Sequence, residues 1–322
     1  MVRIGFVGTG GIANHHLEQL RKLKDAQVVA LCDVVESRAQ EAAAKFGGRV
    51  FSDHRQMLEA VAIDALYVCV PPFAHEDAEI IAARKGIHLF VEKPVALDLG
   101  LGLRINEEIR KAGVISSVGY TLRYYPEVQA LRNFLRGKTI AMVTANRWGG
   151  VPLAPPWWRD MAQSGGQLVE QTTHQVDLMR YLAGDIVEVY ANYAQRAIGD
   201  VENATIPDVQ VATFRFASGA VGCVTTSCAL TKGCGYLDLT LVTRDMWIRY
   251  GREIVVSPPQ AASIPLPQGP LPDIDESFVR ATQTGDATLV KSPYEDGLKS
   301  AAVCLAANES AESGLPVRPW TG

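Results

Sequence analysis

The first 120 residues alternate between short apolar runs and segments whose apolar positions recur at helical spacing. The apolar runs have the length of buried strands and cover residues 2–7, 28–32, 64–70, 87–91 and 114–118. The helical patterns cover residues 12–23, 37–46, 75–85 and 97–112. Buried strands separated by helices predict an α/β domain: a doubly wound parallel sheet with helices on both faces.

The pattern changes after Gly119. Strand-like runs, several of them alternating, cover residues 140–148, 187–195, 209–216, 220–227 and 236–243, and Ser218-Gly219 is a hairpin signal between two of them. Helices are predicted over residues 167–182, 273–284 and 293–313, whereas six prolines between residues 258 and 272 exclude regular structure there. The second half is therefore predicted to be an α+β domain with a large, mostly antiparallel sheet.

A chain of 322 residues, 48% of them hydrophobic, favours two domains over one. The change of pattern divides them into residues 1–120 and 121–322 and leaves open whether the last helix packs back on the first domain. The net charge of −4 lacks the excess of positive charge that is typical of nucleic-acid-binding domains. Because no apolar run could span a bilayer and no secretory signal is visible, a soluble, cytoplasmic protein is expected. The six cysteines form no CxxC pair, so reduced structural thiols are expected rather than zinc ligands.

A glycine-rich turn, Gly8-x-Gly10-x-x-Ala13, joins the first predicted strand to the first predicted helix. In this context Gly8 permits a tight turn, and Gly10 lets the backbone approach a pyrophosphate. The small Ala13 lets helix and strand pack closely, while Gly11 and Ile12 open the helix whose N-terminus faces the anion. The turn predicts a dinucleotide-binding Rossmann domain.

Asp33 ends the second predicted strand, 20 residues after Ala13. A carboxylate there can accept hydrogen bonds from the adenosine ribose and repels a 2′-phosphate, which favours NAD over NADP. Arg38 is close enough in sequence to bind a phosphate if Asp33 turns away, so NADP stays the alternative. For Asp33 itself the alternative is a helix-capping or solvated carboxylate.

The segment Glu92-Lys93-Pro94 follows another predicted strand. Ligands of such sheets bind beyond the carboxyl ends of the strands, so Lys93 is a candidate for the place where nicotinamide and substrate meet. Its ammonium group can hydrogen-bond a reacting oxygen and stabilise developing negative charge. The alternative is a surface lysine in a turn.

Glu170, His174 and Asp177 lie at i, i+4 and i+7 on one predicted helix and are expected to share a face. The unperturbed pKa of a histidine side chain suits proton exchange at neutral pH, so His174 is a candidate for that role, and either carboxylate could orient its ring. Two alternatives stay open: a polar stripe with one buried histidine, and a metal site. One histidine with two carboxylates on a helix is a weak zinc signal, so no metal site is predicted.

Two further segments are candidate ligand contacts. Pro71 closes a predicted strand and His75 opens the next helix, beside the expected cofactor; an ordinary first-turn residue is the alternative for His75. Trp158 and Arg159 lie in a Pro- and Trp-rich loop over residues 149–166. Aromatic faces suit sugar rings, and a guanidinium can bind a carboxylate or hydroxyls, whereas the alternative is an aromatic anchor that holds the loop down.

Together these segments resemble the glucose-fructose oxidoreductase / inositol dehydrogenase / MocA (GFO/IDH/MocA) family. The resemblance covers essentially the whole chain and rests on GTGGIA, VPPFAHEDAEIIAARKGIHLFVEKPVAL, GYTLRYYPEV, PWWRDMAQSGGQLVEQTTHQVDLMRYL and DGLKSAAVCLAANESAESGLPV. It implies NAD(P) in the first domain, a carbohydrate-like substrate against an open sheet in the second, and a homodimer or homotetramer formed through that sheet.

The resemblance also implies roles for individual residues. Lys93 is similar to the family's active-site lysine and His174 to its catalytic histidine, while Asp177 matches the aspartate that follows on the same helix. The expected catalytic set is Lys93, His174, Glu170 and Asp177. Tyr120 and Arg123 match a segment that lines the site, and with Trp158 and Arg159 they form the expected substrate-binding set. The expected cofactor-binding set is Gly8, Gly10, Gly11, Ile12, Asp33, Arg38, Pro71, His75, Glu92 and Lys93.

Two positions depart from the family pattern. Glu170 stands where dehydrogenases of the family usually have aspartate, and Thr172 replaces a common glycine. The longer carboxylate shifts the site by one methylene, which bears on the substrate more than on redox chemistry.

The expected reaction is hydride transfer between NAD(H) and a hydroxyl-bearing carbon of a sugar, polyol or sugar derivative. His174 takes the hydroxyl proton, Lys93 hydrogen-bonds the reacting oxygen, and Glu170 tunes His174. The alternatives are an NAD-dependent glycosidase with transient oxidation, a non-catalytic dinucleotide-binding sensor, and a C–N or C=C reductase. A sensor has no need of a proton-transfer residue, which argues against it.

Overall fold

The computed structural model describes residues 1–230, 235–260 and 262–322. The chain divides into two compact units: Met1–Tyr124 with Pro272–Leu298, and Tyr125–Leu271 with Lys299–Gly322. The division expected from the sequence assigned residues 272–298 to the second domain. In the structure this segment belongs to the first unit, because its buried side chains, including Ile274 and Phe278, join that unit's core.

The first unit contains a six-stranded sheet in the order β3-β2-β1-β4-β5-β6, with every neighbouring pair parallel. Its strands are β1 (Val2–Val7), β2 (Ala26–Cys32), β3 (Arg49–Phe51), β4 (Ala65–Val68), β5 (His88–Val91) and β6 (Ser116–Val118). Its first five helices are α1 (Gly11–Leu20), α2 (Glu36–Phe46), α3 (His54–Ala60), α4 (Ala78–Arg84) and α5 (Leu99–Ala112). The predicted doubly wound parallel sheet is confirmed.

Four aromatic side chains form the centre of the first unit's core. Tyr67 stacks on Phe90 with ring centroids 4.5 Å apart and on Phe6 at 4.8 Å. Phe278 meets Tyr67 and Phe90 edge-on, each at 5.6 Å. Three of the rings come from β1, β4 and β5, so this core fixes the strands whose carboxyl ends carry the candidate site residues.

The second unit contains a seven-stranded sheet in the order β13-β12-β11-β7-β10-β9-β8. Its strands are β7 (Ile140–Trp148), β8 (Ile186–Ala194), β9 (Val209–Phe216), β10 (Val221–Ser227), β11 (Tyr236–Thr243), β12 (Trp247–Tyr250) and β13 (Ile254–Ser257). Among the described strands of this sheet, only β7 and β10 pair in parallel, so the predicted mostly antiparallel sheet is confirmed. The predicted hairpin joins β9 to β10, with Gly219 at a φ of +87°.

The remaining helices are α6 (Pro126–Phe134), α7 (Met161–Ser164), α8 (Gly166–Glu170), α9 (Thr173–Ala183), α10 (Ile274–Thr284) and α11 (Tyr294–Ser313). Helix α10 belongs to the first unit, and α11 contributes residues to both. Within the described residues, no helix combines the length and the apolar character that a membrane span requires.

The single helix expected over residues 167–182 is wrong, because it breaks between α8 and α9. The N–H of Thr172 bonds the carbonyl of Gln167 at 2.9 Å, one residue further back than in a regular α-helix. Its hydroxyl bonds the hydroxyl of Thr226 on β10 at 2.7 Å, which holds the break against the sheet. Glu170 and His174 therefore lie on two different helices.

Other elements also differ from the sequence pattern. Strands β3, β12 and β13 and helix α3 were not predicted, because elements of three to seven residues carry little periodicity. Helix α4 begins at Ala78 rather than at His75, after a 3₁₀ turn over Pro72–Ala74. The loop over residues 149–166 contains another 3₁₀ turn, over Pro156–Arg159, and α7.

The described cysteines are thiols in both units. Cys32, Cys69, Cys223, Cys228 and Cys304 are unpaired, as predicted. Burial raises the pKa of Cys69 well above its ordinary value, so its thiol stays protonated. Cys234 lies outside the described residues.

Candidate active site

The glycine turn after β1 has the geometry that a dinucleotide requires. Gly8 has a φ of +84°, and a Cβ there would lie 2.4 Å from the carbonyl oxygen of Cys69. A Cβ on Gly10 or Gly11 would meet no described atom within 4 Å, so the backbone is open to close approach. Only glycine fits the first position, and small residues leave room for a ligand at the next two.

Helix α1 begins at Gly11 with its N-terminus facing this open space. No side chain in the described part of the chain caps it, and its first turn holds no acidic residue. The N–H groups at its start can therefore bind a pyrophosphate, which the helix dipole also favours. Ala13 is fully buried, as close packing of α1 on the sheet requires, and Ile12 is 43% exposed beside the turn.

Asp33 lies directly after β2 and is buried. Its carboxylate accepts hydrogen bonds from the N–H of Thr9 in the glycine turn and from the N–H of Val35. A carboxylate oxygen can accept more than one hydrogen bond, so Asp33 can bind a ribose hydroxyl without losing these contacts. Arg38 lies exposed on α2.

His75 lies beyond the carboxyl end of β4 and is buried against α4. Its Nδ1 contacts Oε1 of Glu79 at 2.5 Å. The Nε2 of His75 and Oε2 of Glu79 are buried and have no hydrogen-bond partner among the described residues. Pro71 precedes the 3₁₀ turn that carries the chain from β4 to His75.

Glu92 follows β5 and belongs to a buried network that sequence reasoning did not identify. Oε1 of Glu92 lies 3.1 Å from Nε2 of His16 on α1, and Nδ1 of His16 lies 2.8 and 3.0 Å from the carboxylate oxygens of Asp275 on α10. The other oxygen of Glu92 accepts the main-chain N–H of Lys93 at 3.1 Å. Lys93 is thus attached through its backbone to a buried triad of ionisable groups.

His16 in this network is charged. Burial lowers the pKa of His16, but hydrogen bonds to Asp275 and Glu92 outweigh it and raise the pKa to about 10. The hydrogen-bond geometry also requires a protonated His16. Carboxylates only accept hydrogen bonds, so a ring that bonds one carboxylate through each nitrogen must carry both protons.

Tyr120 and Arg123, expected to line the substrate site, are both buried in the first unit. The guanidinium of Arg123 lies 6.0 Å from the ring centroid of Tyr120. Its Nη1 donates to the carbonyl of Lys291 at 2.7 Å and pairs with Asp296 at 2.5 Å. These contacts make Arg123 an anchor for the returning segment Pro272–Leu298.

In the second unit, the break between α8 and α9 carries Glu170 and His174. Glu170 ends α8 and accepts a hydrogen bond from the amide of Gln171, whose carbonyl oxygen accepts one from Arg147 on β7. Burial lowers the pKa of Arg147, and the charge of Glu170 opposes that shift. His174 lies half-buried in the first turn of α9, directly beyond the break. The carboxylate of Glu170 and the imidazole of His174 therefore lie on either side of the short segment that joins α8 to α9.

Asp177 is fully buried one turn further along α9. Its Oδ1 accepts a hydrogen bond from the hydroxyl of Ser300 on α11 at 2.8 Å. Ser300 in turn accepts from Nη1 of Arg180 at 2.7 Å. These bonds fasten α9 to α11 beneath His174.

The loop before α7 holds Trp158 and Arg159 half-buried. Trp158 meets Trp157 edge-on at 5.7 Å, and its indole N–H is buried with no acceptor among the described residues. Nη1 of Arg159 donates to the carbonyl of Leu153 at 2.6 Å. The loop is therefore held by its own contacts, as the aromatic-anchor interpretation expects.

Chemically, the first unit offers an anion-binding helix start, a carboxylate at the ribose position and a lysine after β5. The second unit offers a carboxylate and an imidazole on either side of the break between α8 and α9. The first set fits an NAD-type dinucleotide, because the turn leaves space for backbone approach and Asp33 carries the charge that disfavours a 2′-phosphate. The second set can exchange a proton.

Comparison with known proteins assigns both parts of the chain. The model of the NAD-binding Rossmann fold of the GFO/IDH/MocA oxidoreductase family matches residues 2–120, and the model of the GFO/IDH/MocA C-terminal domain matches residues 129–248. The chain is 32% identical over 228 residues to the myo-inositol 2-dehydrogenase of Thermotoga maritima. The matched region covers 70% of this chain and 68% of that protein. It is 29% identical over 239 residues to the scyllo-inositol 2-dehydrogenase (NAD(+)) of Bacillus subtilis, covering 70% of this chain and 67% of that protein.

Among solved structures, the WlbA dehydrogenase from Bordetella pertussis in complex with NADH and UDP-GlcNAcA has a TM-score of 0.85 and 25% identity, covering 100% of this chain and 99% of that one. The similarity thus extends over both units. The resemblance to this family is confirmed, and the chain belongs to the GFO/IDH/MocA family of NAD-binding oxidoreductases.

Proposed function

We propose that this protein is a dehydrogenase that transfers a hydride between NAD(H) and a hydroxyl-bearing carbon of a sugar, polyol or sugar derivative. One observation carries the proposal: the chain combines an NAD-type glycine turn and Lys93 after β5 with Glu170 and His174 on either side of the α8–α9 break. These are the groups that oxidation of an alcohol requires. Named relatives that act on inositols support a polyol-like substrate.

In the oxidising direction, His174 accepts the proton of the substrate hydroxyl. Lys93 donates a hydrogen bond to the same oxygen and stabilises its negative charge as the proton leaves. Bound NAD⁺ supplies the hydride acceptor. Glu170 stabilises the protonated imidazole, and its bond with Gln171 sets the direction of its carboxylate.

Asp177 has a different proposed role from the catalytic one expected from the sequence. Its bond to Ser300 makes it a positioning residue that holds the first turns of α9, and with them His174, in place. Gly8, Gly10 and Gly11 are the proposed pyrophosphate contacts, and Asp33 is the proposed ribose contact. Tyr120, Trp158 and Arg159 stay predictions as substrate contacts.

The test is a panel of alcohols incubated with NAD⁺ or NADP⁺ and read as nicotinamide absorbance. The panel contains myo-inositol, scyllo-inositol, glucosides and UDP-GlcNAcA, and the buffer control contains cofactor alone. Net NADH formation with one class of alcohol supports a dehydrogenase. Release of an aglycone from a glucoside without net NADH would instead indicate the glycosidase, and NADH binding with no turnover on any alcohol would contradict the proposal.

We further propose that the protein is a homo-oligomer formed through the open face of its seven-stranded sheet. Side chains alternate along β9, and the outward positions across the sheet include large apolar groups: Met142, Tyr190, Val211 and Val221 are 40–53% exposed. A broad sheet face of this kind fits the same face of a second copy. Cytoplasmic location stays a prediction.

The oligomer is tested by light scattering during size-exclusion chromatography. Val221→Glu on this face should shift the measured mass towards that of one chain. Because the same face of each protomer forms the interface, every protomer would bury one unpaired carboxylate in it. Leu266→Glu is the matched control, since Leu266 is 52% exposed in the segment between β13 and α10, outside the strands of the sheet. A wild-type mass of 34.9 kDa, that of one chain, would contradict the proposal.

A further inference from the structure

The buried triad of Glu92, His16 and Asp275 connects three elements of the first unit. His16 lies on α1, the helix that starts at the glycine turn. Glu92 precedes Lys93 at the carboxyl end of β5, and Asp275 lies in the first turn of α10. All three side chains are at most 5% exposed. The triad therefore joins the proposed pyrophosphate-binding helix to the lysine that is proposed to contact the substrate.

The carboxylate of Glu92 is tightly enclosed. One oxygen bonds His16 and the other accepts the N–H of Lys93. On the remaining side lies Gly119, where a Cβ would come within 2.1 Å of Oε1. Glu92 thus has one position in which its bonds are made, and Lys93 shares that position through its main chain.

The positive charge of His16 is what makes this arrangement stable. Two carboxylates buried on either side of a neutral ring would leave one of them facing a nitrogen lone pair, because a neutral imidazole has one N–H. An unpaired buried carboxylate is strongly disfavoured and moves or takes up a proton. The cation therefore holds the Glu92 carboxylate in place.

We propose that His16 is a positioning residue of the NAD(H) site: as a buried cation it holds Glu92, and through Glu92 the backbone of Lys93, in a fixed relation to the glycine turn. The inference rests on the proposed place of Lys93 at the cofactor. It does not depend on which alcohol is oxidised.

The test measures NADH affinity by fluorescence titration of the full chain at several pH values. His16→Gln replaces the cation with a neutral amide whose two N–H donors lie on one nitrogen instead of on two ring nitrogens, and its NADH dissociation constant should rise about tenfold. The matched control is His15→Gln, the exposed neighbour on α1, which should stay within about twofold of wild type.

A second variant keeps the test decisive if His16→Gln folds poorly. Asp275→Asn keeps the ring and its bond to Glu92 but removes one of the charges that stabilise the cation. NADH affinity of this variant should match wild type at pH 6.5 and fall about fivefold or more by pH 9, whereas wild type stays flat. Tyr67 and Cys69, the other titratable groups close to the network, stay protonated over this range because burial raises the pKa of each.

A merely structural His16 predicts a different result: both variants lose thermal stability while NADH affinity and its pH profile stay those of wild type. That outcome overturns the inference. The proposed function is checked separately with Lys93→Ala in the alcohol panel. If wild type turns over and His16→Gln binds NADH normally, the inference alone fails; if wild type oxidises no alcohol, the proposed function fails while the NADH titrations still decide the role of His16.

Discussion

The carboxylate of Asp33 accepts hydrogen bonds from both the main-chain N–H and the hydroxyl of Thr9, at 2.9 and 3.0 Å. Thr9 lies inside the glycine turn, whereas Asp33 follows the neighbouring strand β2. The residue that would bind the adenosine ribose therefore also shapes the loop that would bind the pyrophosphate. The two halves of dinucleotide recognition are joined by one side chain.

Replacing Asp33 with Asn should weaken NADH binding about tenfold, because a charge-assisted hydrogen bond contributes about 1.5–3 kcal/mol. The preference for NADH over NADPH should narrow, since the amide no longer repels a 2′-phosphate and Arg38 lies exposed on α2. Fluorescence titration with both cofactors measures the ratio. Asp53→Asn, which changes the cap of α3, should leave the ratio unaltered; an unchanged ratio in Asp33→Asn would count against the ribose contact.

Gly8 and Gly10 should respond differently to the same substitution. Gly8→Ala forces a side chain into a positive-φ position and against the carbonyl of Cys69, so we expect a loss of about 2–4 kcal/mol in unfolding free energy. Gly10→Ala meets no described atom within 4 Å, so the melting temperature should hardly change. Its NADH affinity should nevertheless fall about tenfold or more, because the added methyl group occupies the space through which backbone and pyrophosphate approach. Calorimetry and NADH titration separate the two effects, and normal NADH affinity in Gly10→Ala would contradict a pyrophosphate site here.

Lys93 and His174 should affect turnover far more than cofactor binding. Once a substrate is found, Lys93→Ala and His174→Gln should each lower kcat about 10²- to 10⁴-fold, the usual contribution of a positioned acid, base or hydrogen-bond donor. Stopped-flow NADH formation measures this step directly. Lys85→Ala, at an exposed lysine after α4, is the control. Either variant with wild-type turnover would remove that residue from the chemistry.

Because His16 is a buried cation, the free energy of unfolding should fall as the pH becomes alkaline. Its pKa rises from 6.5 to about 10 on folding, so its stabilisation is fully present below pH 6.5 and is lost as the pH rises through 10. Across this window the folded state binds the extra proton, and wild-type unfolding free energy should fall by at most about 1.4 kcal/mol per pH unit from this group. Urea unfolding of wild type and His16→Gln at pH 7, 8 and 9 gives the difference. If the unfolding free energies of the two proteins changed with pH in parallel, His16 would not keep its proton in the folded state.

Most of the fold could be predicted from hydrophobic patterning because its long elements bury one face each. The strands β1, β7, β9 and β11 have the predicted bounds, and both sheets have the predicted class. The glycine turn could also be predicted, since its conformational requirement is local. The break between α8 and α9 could not, because it depends on Thr172 bonding a hydroxyl on β10, 54 residues away in the chain.

The contacts within the candidate active site could not be predicted from the sequence for the same reason. Spacing along one helix grouped Asp177 with His174, but only tertiary structure reveals that Asp177 bonds Ser300, 123 residues later. His16 and Asp275 are separated by 259 residues, and neither belongs to a motif that indicates the other. A histidine inside an amphipathic helix gives no signal of its charge, because that charge is set by groups which arrive from distant parts of the chain.

The first unit is built from two stretches of chain that lie far apart in sequence, Met1–Tyr124 and Pro272–Leu298. During synthesis, the ribosome must therefore complete most of the polypeptide before Phe278 can fill the aromatic core and Asp275 can reach His16. A nascent chain stopped after residue 124 would expose apolar surface where α10 belongs and would leave His16 beside a single carboxylate. Maturation of this nucleotide-binding half thus waits for the carboxy-terminal region, and deletions near that end should impair it as severely as mutations at its beginning.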